Sequence, residues 1–251
     1  MKVIISGANG FMGREVNALC EKGYKNSTCV AKIDIAGEGV YPTLKDCPID
    51  GDVLVDFSFH TATKNLLEDA IAKNLPCVIA TTGHTAEEKA FIVEASKKIP
   101  VFFTANYSLG VAVTAKLVKE AVSLIDGDIE IIETHHNRKL DAPSGTALMI
   151  ADAIRTVRTD AELKKGRSGQ AKRQPNEIGI HAVRMGNIVG THEVLVGTQN
   201  QTITLKHEAH SRALFAEGAV AAAAFICGKK PGLYDMNSLV AGQECELAPA
   251  L

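Results

Sequence analysis

The chain has 251 residues, 27 basic and 29 acidic side chains, a formal charge of −2, and hydrophobic and charged shares of 46% and 22%. That length suggests one large domain or two modest ones. The composition excludes wholesale disorder, and the near-neutral charge argues against a sequence-independent nucleic-acid binder, which needs a basic excess. No apolar run approaches the roughly 18 residues of a membrane span. The N-terminus, Met1 to Gly7, reads as a short apolar strand ending in a glycine turn and not as a signal peptide. Cys20, Cys29, Cys47, Cys77, Cys227 and Cys245 are scattered, with no C-x-x-C pair. Most of them read as small core hydrophobes, and the protein as reduced and cytoplasmic. With no tryptophan and 5% aromatic residues, base stacking on single-stranded nucleic acid is not expected.

In chain order, Val3-Ile4-Ile5 predicts a first strand and Arg14 to Lys22 a helix stopped by Gly23. Cys29 to Ile33 and Val53 to Phe57 predict two more strands, Thr61 to Lys73 a helix, and Cys77 to Ala80 a fourth strand. Thr85 to Lys98 reads as a helix opened by a capping box, Thr85 with Glu88, and Val101 to Phe103 as a fifth strand. Continuous apolar strands separated by helices imply a doubly wound, Rossmann-like parallel sheet. Beyond residue 105 the pattern changes. Leu109 to Ile125 is helical, Asp128 to Thr134 alternates like a strand, and Gly145 to Lys164 reads as one long helix. The basic stretch from Lys164 to Arg173 reads either as a solvated loop or as a flap over an anionic ligand. Ile178 to His207 is strand-like, with hairpin turns expected at Gly186-Asn187 and Gln199-Asn200, and Leu214 to Cys227 is an alanine-rich helix. The second half is therefore expected to be α+β with a mixed or antiparallel sheet. The expected division is 1–105 with 213–251 as the dinucleotide-binding domain, and 106–212 as the substrate and oligomerisation domain.

Gly7-Ala8-Asn9-Gly10-Phe11-Met12-Gly13 fits G-x-x-G-x-x-G directly after the first strand. It differs by one residue of spacing from the usual dinucleotide fingerprint. Glycines there allow a tight turn and let backbone amides at a helix N-terminus approach a pyrophosphate. Asp34 closes the second strand, where an acidic residue accepts from an adenosine ribose. An exposed strand end is the plainer reading of Asp34. Ile35 follows it in place of an arginine, so a 2′-phosphate finds no obvious partner, although Lys32 is near. NADH is thus expected to serve at least as well as NADPH.

The richest stretch runs from Glu130 to Ala147, where a strand leads to His135, His136, Arg138 and Lys139 and then to Pro143-Ser144-Gly145-Thr146. That turn can open a helix whose first amides bind a carboxylate. His135 and Lys139 are candidate proton donors, so the segment suits reduction of an anionic imine. Hydrogen-bonded histidines at a domain boundary are the plainer reading. No metal is expected, because adjacent histidines on a strand point to opposite faces and no H-E-x-x-H or Cys/His cluster supports them.

The run from Glu133 to Ala147 resembles the signature E-x-H-H-x-x-K-x-D-x-P-S-G-T-A of the 4-hydroxy-tetrahydrodipicolinate (dihydrodipicolinate) reductase family. Gly7 to Gly13, Ala80 to Gly83, Asn106 to Gly110, Gly179 to Arg184 and Ser211 to Ala219 extend the resemblance over roughly residues 1 to 242. Glu244 to Leu251 match no part of it and read as a tail.

The resemblance implies NADH or NADPH as coenzyme, a cyclic dicarboxylate as substrate, and a homotetramer assembled through Ile178 to His207. It implies that His135 donates and accepts a proton and that Lys139 is a second proton donor. It also implies that His136 and the Gly145–Thr146 amides hold the substrate carboxylates. The coenzyme would meet Gly7, Ala8, Asn9, Gly10, Phe11, Met12 and Asp34. Ala80, Thr81 and Thr82, with Thr104, Ala105, Asn106 and Tyr107, would line its nicotinamide. Ala80 replaces the family's usual glycine and Tyr107 a frequent phenylalanine. Another two-domain amino-acid or semialdehyde dehydrogenase is the alternative enzyme, although no cysteine sits in a glycine-rich loop beside a histidine. A cofactor-binding regulator is the alternative outside catalysis, and it would need no His135–Lys139 pair.

Overall fold

The computed structural model describes residues 1–242; the expected tail and Cys245 lie outside them. The chain forms two compact units, Met1–Leu109 together with the chain from Ala213 onward, and Gly110–Arg212.

The first unit is built on strands β1 (Lys2–Ser6), β2 (Thr28–Ile33), β3 (Val53–Asp56), β4 (Cys77–Ile79), β5 (Pro100–Phe103) and β11 (Gly232–Tyr234). All pair in parallel, in the order β11-β5-β4-β3-β1-β2. Strands β1, β3 and β4 are almost wholly buried, as expected of a sheet covered on both faces. The strand order reverses between β1 and β3, the switch point at which such sheets bind ligands. Helices α1 (Phe11–Glu21), α2 (Thr63–Ala72), α3 (Ala86–Ser96) and α6 (Ala213–Ile226) belong to this unit, and α7 (Met236–Gly242) follows β11. The capping box is present in full: the Thr85 hydroxyl accepts from the Glu88 amide, and the Glu88 carboxylate accepts from the Thr85 amide. Helix α1 starts at Phe11 and not at Arg14, because the turn made by Gly7 and Gly10 feeds straight into it. Strand β11 and helix α7 were not expected from sequence. A three-residue edge strand has too few residues to show a period.

The second unit carries a five-stranded mixed sheet, β10-β9-β6-β8-β7, from β6 (Asp128–His135), β7 (Glu162–Lys165), β8 (Glu177–Arg184), β9 (Gly190–Gly197) and β10 (Thr202–Ala209). One face packs on α4 (Leu109–Leu124) and α5 (Gly145–Arg155), with Val118, Val122, Ile150 and Ile154 meeting Ile129, Ile131, Ile180 and Val194. Two features of this unit differ from the sequence expectation. The long helix expected to Lys164 ends at Arg155, and Glu162–Lys165 forms an edge strand pairing with β8. Arg158 turns the chain at that point, donating to the Val122 and Ile125 carbonyls at the end of α4 and pairing with Asp126. The Gly186-Asn187 turn is not a hairpin, because β6 lies between β8 and β9, parallel to one and antiparallel to the other. The connection instead wraps the end of β6, with Met185 donating to the His135 carbonyl and His136 to the Ile188 carbonyl. Gln199-Asn200 does lie in a hairpin, between β9 and β10. The basic stretch is partly tied down: Arg173 pairs with Asp128 and Glu130, and Arg167 with Glu177.

Candidate active site

In the first unit the glycine loop is folded so closely that side chains are shut out. Gly7 has φ +72°, and a Cβ there would lie 2.6 Å from the Phe57 carbonyl oxygen. A Cβ on Gly13 would lie 2.2 Å from the Gly7 carbonyl oxygen. The N-terminus of α1 follows with Gly10 as its cap, a residue with no side chain to reach the first amides. Asp34, just past β2, accepts from the Asn9 amide at 2.8 Å through one oxygen and from the Ile35 amide through the other. Each oxygen keeps a lone pair for a hydroxyl. Gly7, Asn9, Gly10 and Asp34 line a cleft of about 680 Å³ with Ile33 and Leu66 in its walls. A glycine-capped helix start, an acidic strand end and apolar walls fit a dinucleotide.

The other loops expected at the coenzyme differ in what they expose. Thr82 and Ala105 are open, whereas Thr81 donates its hydroxyl to the fully buried Asp56. Asp56 also holds Ser58, and burial pushes its carboxyl up in spite of those hydrogen bonds. Tyr107 turns its ring into the core and donates to the Ile79 and Phe102 carbonyls, so only its backbone remains for a ligand. Gly218 of α6 lets that helix close on the Tyr107 carbonyl, where a Cβ would come within 1.6 Å of its oxygen.

In the second unit, alternation along β6 places Ile129, Ile131, Glu133 and His135 on the covered face. Glu133 is fully buried and His135 is 8% exposed. His135 Nδ1 lies 2.6 Å from a Glu133 oxygen, Arg184 grips both Glu133 oxygens at 2.7 and 2.8 Å, and the Ser144 amide adds a bond at 2.9 Å. Burial alone would raise the Glu133 carboxyl; Arg184, His135 and the Ser144 amide outweigh it and hold it below the usual range. Burial lowers His135 against the pull of Glu133, and the charges of Lys139 and Arg184 lower it further. His192 of β9 packs edge-on to His135, with ring centroids 5.1 Å apart, and touches the Ser144 hydroxyl through Nε2. Ser144 caps α5, accepting from the Ala147 amide. Gly145 and Thr146 then supply the first amides of α5, the Gly145 amide being turned toward Asp141, which also pairs with Lys139 at 2.8 Å. His136 keeps a buried Nδ1 with no partner. The structure thus gathers His135, His136, Lys139, Gly145 and Thr146 around the end of β6 and the start of α5. Glu133, Arg184 and His192 join them without having been singled out for roles. For Glu133 the signal was the strand parity, two residues before His135.

Models of the dihydrodipicolinate reductase N-terminus and C-terminus match residues 1–107 and 110–240. The chain belongs to the dihydrodipicolinate reductase family. It is 49% identical over 247 residues to the 4-hydroxy-tetrahydrodipicolinate reductase of Caldanaerobacter subterraneus subsp. tengcongensis, spanning 96% of this chain and 98% of that one. It is 42% identical to the same enzyme of Clostridium tetani, spanning 96% and 97%. The fold is similar to that of dipicolinate-bound dihydrodipicolinate reductase from Paenisporosarcina sp. TG-14, with a TM-score of 0.80, 26% identity and coverage of 94% and 98%. A probable dehydrogenase from Thermotoga maritima shares the fold alone, at 11% identity and a TM-score of 0.61. The dihydrodipicolinate reductase family consists of NAD(P)H-dependent oxidoreductases of lysine and diaminopimelate biosynthesis, whose N-terminal domain binds the coenzyme.

Proposed function

We propose that this chain reduces 4-hydroxy-tetrahydrodipicolinate to tetrahydrodipicolinate with His135 and Lys139 as its proton-handling groups. The coenzyme, when bound, supplies the hydride. The observation that carries the assignment is the meeting, in one unit, of a buried imidazole, a lysine and the start of α5. His135 donates and accepts the proton, and Lys139 is the second donor. His136 and the amides of Gly145 and Thr146 hold the carboxylates of the cyclic substrate. Lys139 already pairs with one carboxylate, that of Asp141, which supports its suitability for an anionic ligand. Gly7, Ala8, Asn9, Gly10, Phe11, Met12 and Asp34 hold the coenzyme's diphosphate and ribose. Ala80, Thr81, Thr82 and the backbone of Thr104 to Tyr107 border its nicotinamide. NADH serves at least as well as NADPH, since Ile35, 89% exposed, stands where a cation would meet a 2′-phosphate.

We infer a homotetramer assembled through the mixed sheet: Ile132, Val183 and Leu195 lie on the face that α4 and α5 leave uncovered, half-buried or exposed. Analytical ultracentrifugation tests this, and a monomer at micromolar concentration would refute it. A cytoplasmic setting is supported by the free cysteines Cys20, Cys29, Cys47, Cys77 and Cys227. No helix among the described residues is long and apolar enough to cross a membrane. The deciding assay follows NADH absorbance with substrate formed in situ from pyruvate and aspartate semialdehyde. His135→Ala and Lys139→Ala should each lower kcat/KM about 10²–10⁴-fold. Wild-type values in both would overturn the roles. A hundredfold preference for NADPH would overturn the coenzyme assignment.

A further inference from the structure

We propose that Glu133 is a positioning residue for the reduction: its carboxylate fixes the proton of the neutral His135 ring on Nδ1, making Nε2 the nitrogen that exchanges protons with substrate. The inference rests on His135 being the proton-handling group and goes beyond it by naming the atom and what selects it.

The Glu133 carboxylate receives four hydrogen bonds, from the Ser144 amide and Arg184 Nη2 on one oxygen, and from Arg184 Nη1 and His135 Nδ1 on the other. An ionised carboxylate only accepts, and the amide and the guanidinium only donate. His135 Nδ1 must therefore carry the hydrogen in that bond. The four bonds fill the acceptor capacity of the group, so Glu133 can neither turn away nor take a proton without losing a partner. Buried carboxylates that orient a histidine act in this way, stabilising one tautomer and the imidazolium that forms in turn.

The other nitrogen is left available. Among the described residues, His135 Nε2 has no protein partner, and it is not one of the sealed, partnerless nitrogens, which are His136 Nδ1, His192 Nδ1, His207 Nδ1 and Arg184 Nε. Gly190 of β9 makes the room: a Cβ there would stand 3.0 Å from Nε2 and 3.3 Å from Cδ2. The groups facing the ring are Glu133 on its own strand, Arg184 from β8, His192 from β9, and Lys139 from the following loop. Arg184 neutralises Glu133, so the carboxylate directs the proton without trapping the ring as an imidazolium. His192 is held neutral, burial pushing it down to about 4.

In Glu133→Gln the Ser144 amide and Arg184 retain the one remaining carbonyl oxygen. The new amide group then faces His135 Nδ1 and donates to it, which moves the ring proton to Nε2. The test is a long-range ¹H–¹⁵N correlation on the full-length protein labelled at histidine nitrogens, with His135→Gln assigning the signal. The wild type should show the neutral Nδ1–H ring and Glu133→Gln the Nε2–H ring, with kcat/KM lowered at least about 10-fold and up to the 10²–10⁴ range of losing the group itself. The His135 titration should move down in Glu133→Gln, which loses the carboxylate. It should move up in Arg184→Gln, which leaves the carboxylate without its counter-charge. NADH affinity, read by fluorescence, should stay unchanged in both. A neutral Nε2–H ring in the wild type overturns the proposal with no variant needed. So does an unchanged kcat/KM in a folded Glu133→Gln, or titrations of the two variants that move together. Retention of activity by His135→Gln would instead overturn the role of His135, while leaving the tautomer measurement standing.

Discussion

Gly10→Ala separates a coenzyme cradle from an ordinary turn. The added Cβ meets only the Gly7 carbonyl oxygen, at 3.2 Å, and the backbone at φ −68°, ψ 166° accepts any residue. Alanine is a poorer N-cap than glycine, a cost of about 1 kcal/mol. Restricting the unfolded chain offsets about 0.4–1 kcal/mol of it. The melting temperature should therefore move by less than about 4 °C. Binding is a different matter, because in the proposed cradle the methyl would stand where a pyrophosphate oxygen approaches the first amides of α1. A hydrogen bond to a charged group contributes about 1.5–3 kcal/mol. Losing one raises the Kd for NADH about 10–150-fold. Gly13→Ala is the contrast: its Cβ would stand 2.2 Å from the Gly7 oxygen and 2.7 Å from the Ala8 Cα, backbone atoms that cannot swing aside. That variant should lose about 1–3 kcal/mol of stability or more. Fluorescence titration with NADH and thermal melting read both effects. A Gly10→Ala protein with the wild-type Kd would refute the cradle. Equal destabilisation of the two variants would refute the steric reasoning.

Other outcomes follow from the second unit. His192 is held down to about 4 by burial and by the charge of His135, whereas the unfolded chain takes up its proton near 6.5. Its contribution is therefore fully present above pH 6.5 and is lost as the pH falls toward 4, about 2–3 kcal/mol by pH 4.5. His192→Gln should flatten the difference between urea midpoints at pH 7.5 and 4.5, and a slope equal to the wild type would count against this. Arg158→Ala strips the Val122 and Ile125 carbonyls of their donor. It should cost about 1–3 kcal/mol in urea unfolding with kcat/KM unchanged; a variant as stable as the wild type would show that water replaces the arginine. Gly190→Ala presses a methyl on His135 Nε2 and should lower kcat/KM at least about 10-fold with NADH affinity intact; full activity would place the reacting nitrogen elsewhere.

Local sequence was enough to read the doubly wound first unit, the capping box at Thr85, the glycine loop with Asp34, and the His135–Lys139 segment. Each is written locally. Apolar runs, caps and turn glycines act over a few residues, and a long motif keeps its meaning wherever the chain folds. The strand order of the second sheet comes from long-range pairing, because β6 enters between β8 and β9 through contacts that no local period encodes. Tertiary contact also ended α5 at Arg155, where Arg158 bonds to carbonyls more than thirty positions earlier in the chain. The bond from Arg184 to Glu133 has the same origin. Strand parity shows that Glu133 faces inward, but only the pairing of β8 with β6 brings a cation to meet it. A buried charge needs its partner delivered by the fold, and that delivery depends on distance in space and not on distance along the chain.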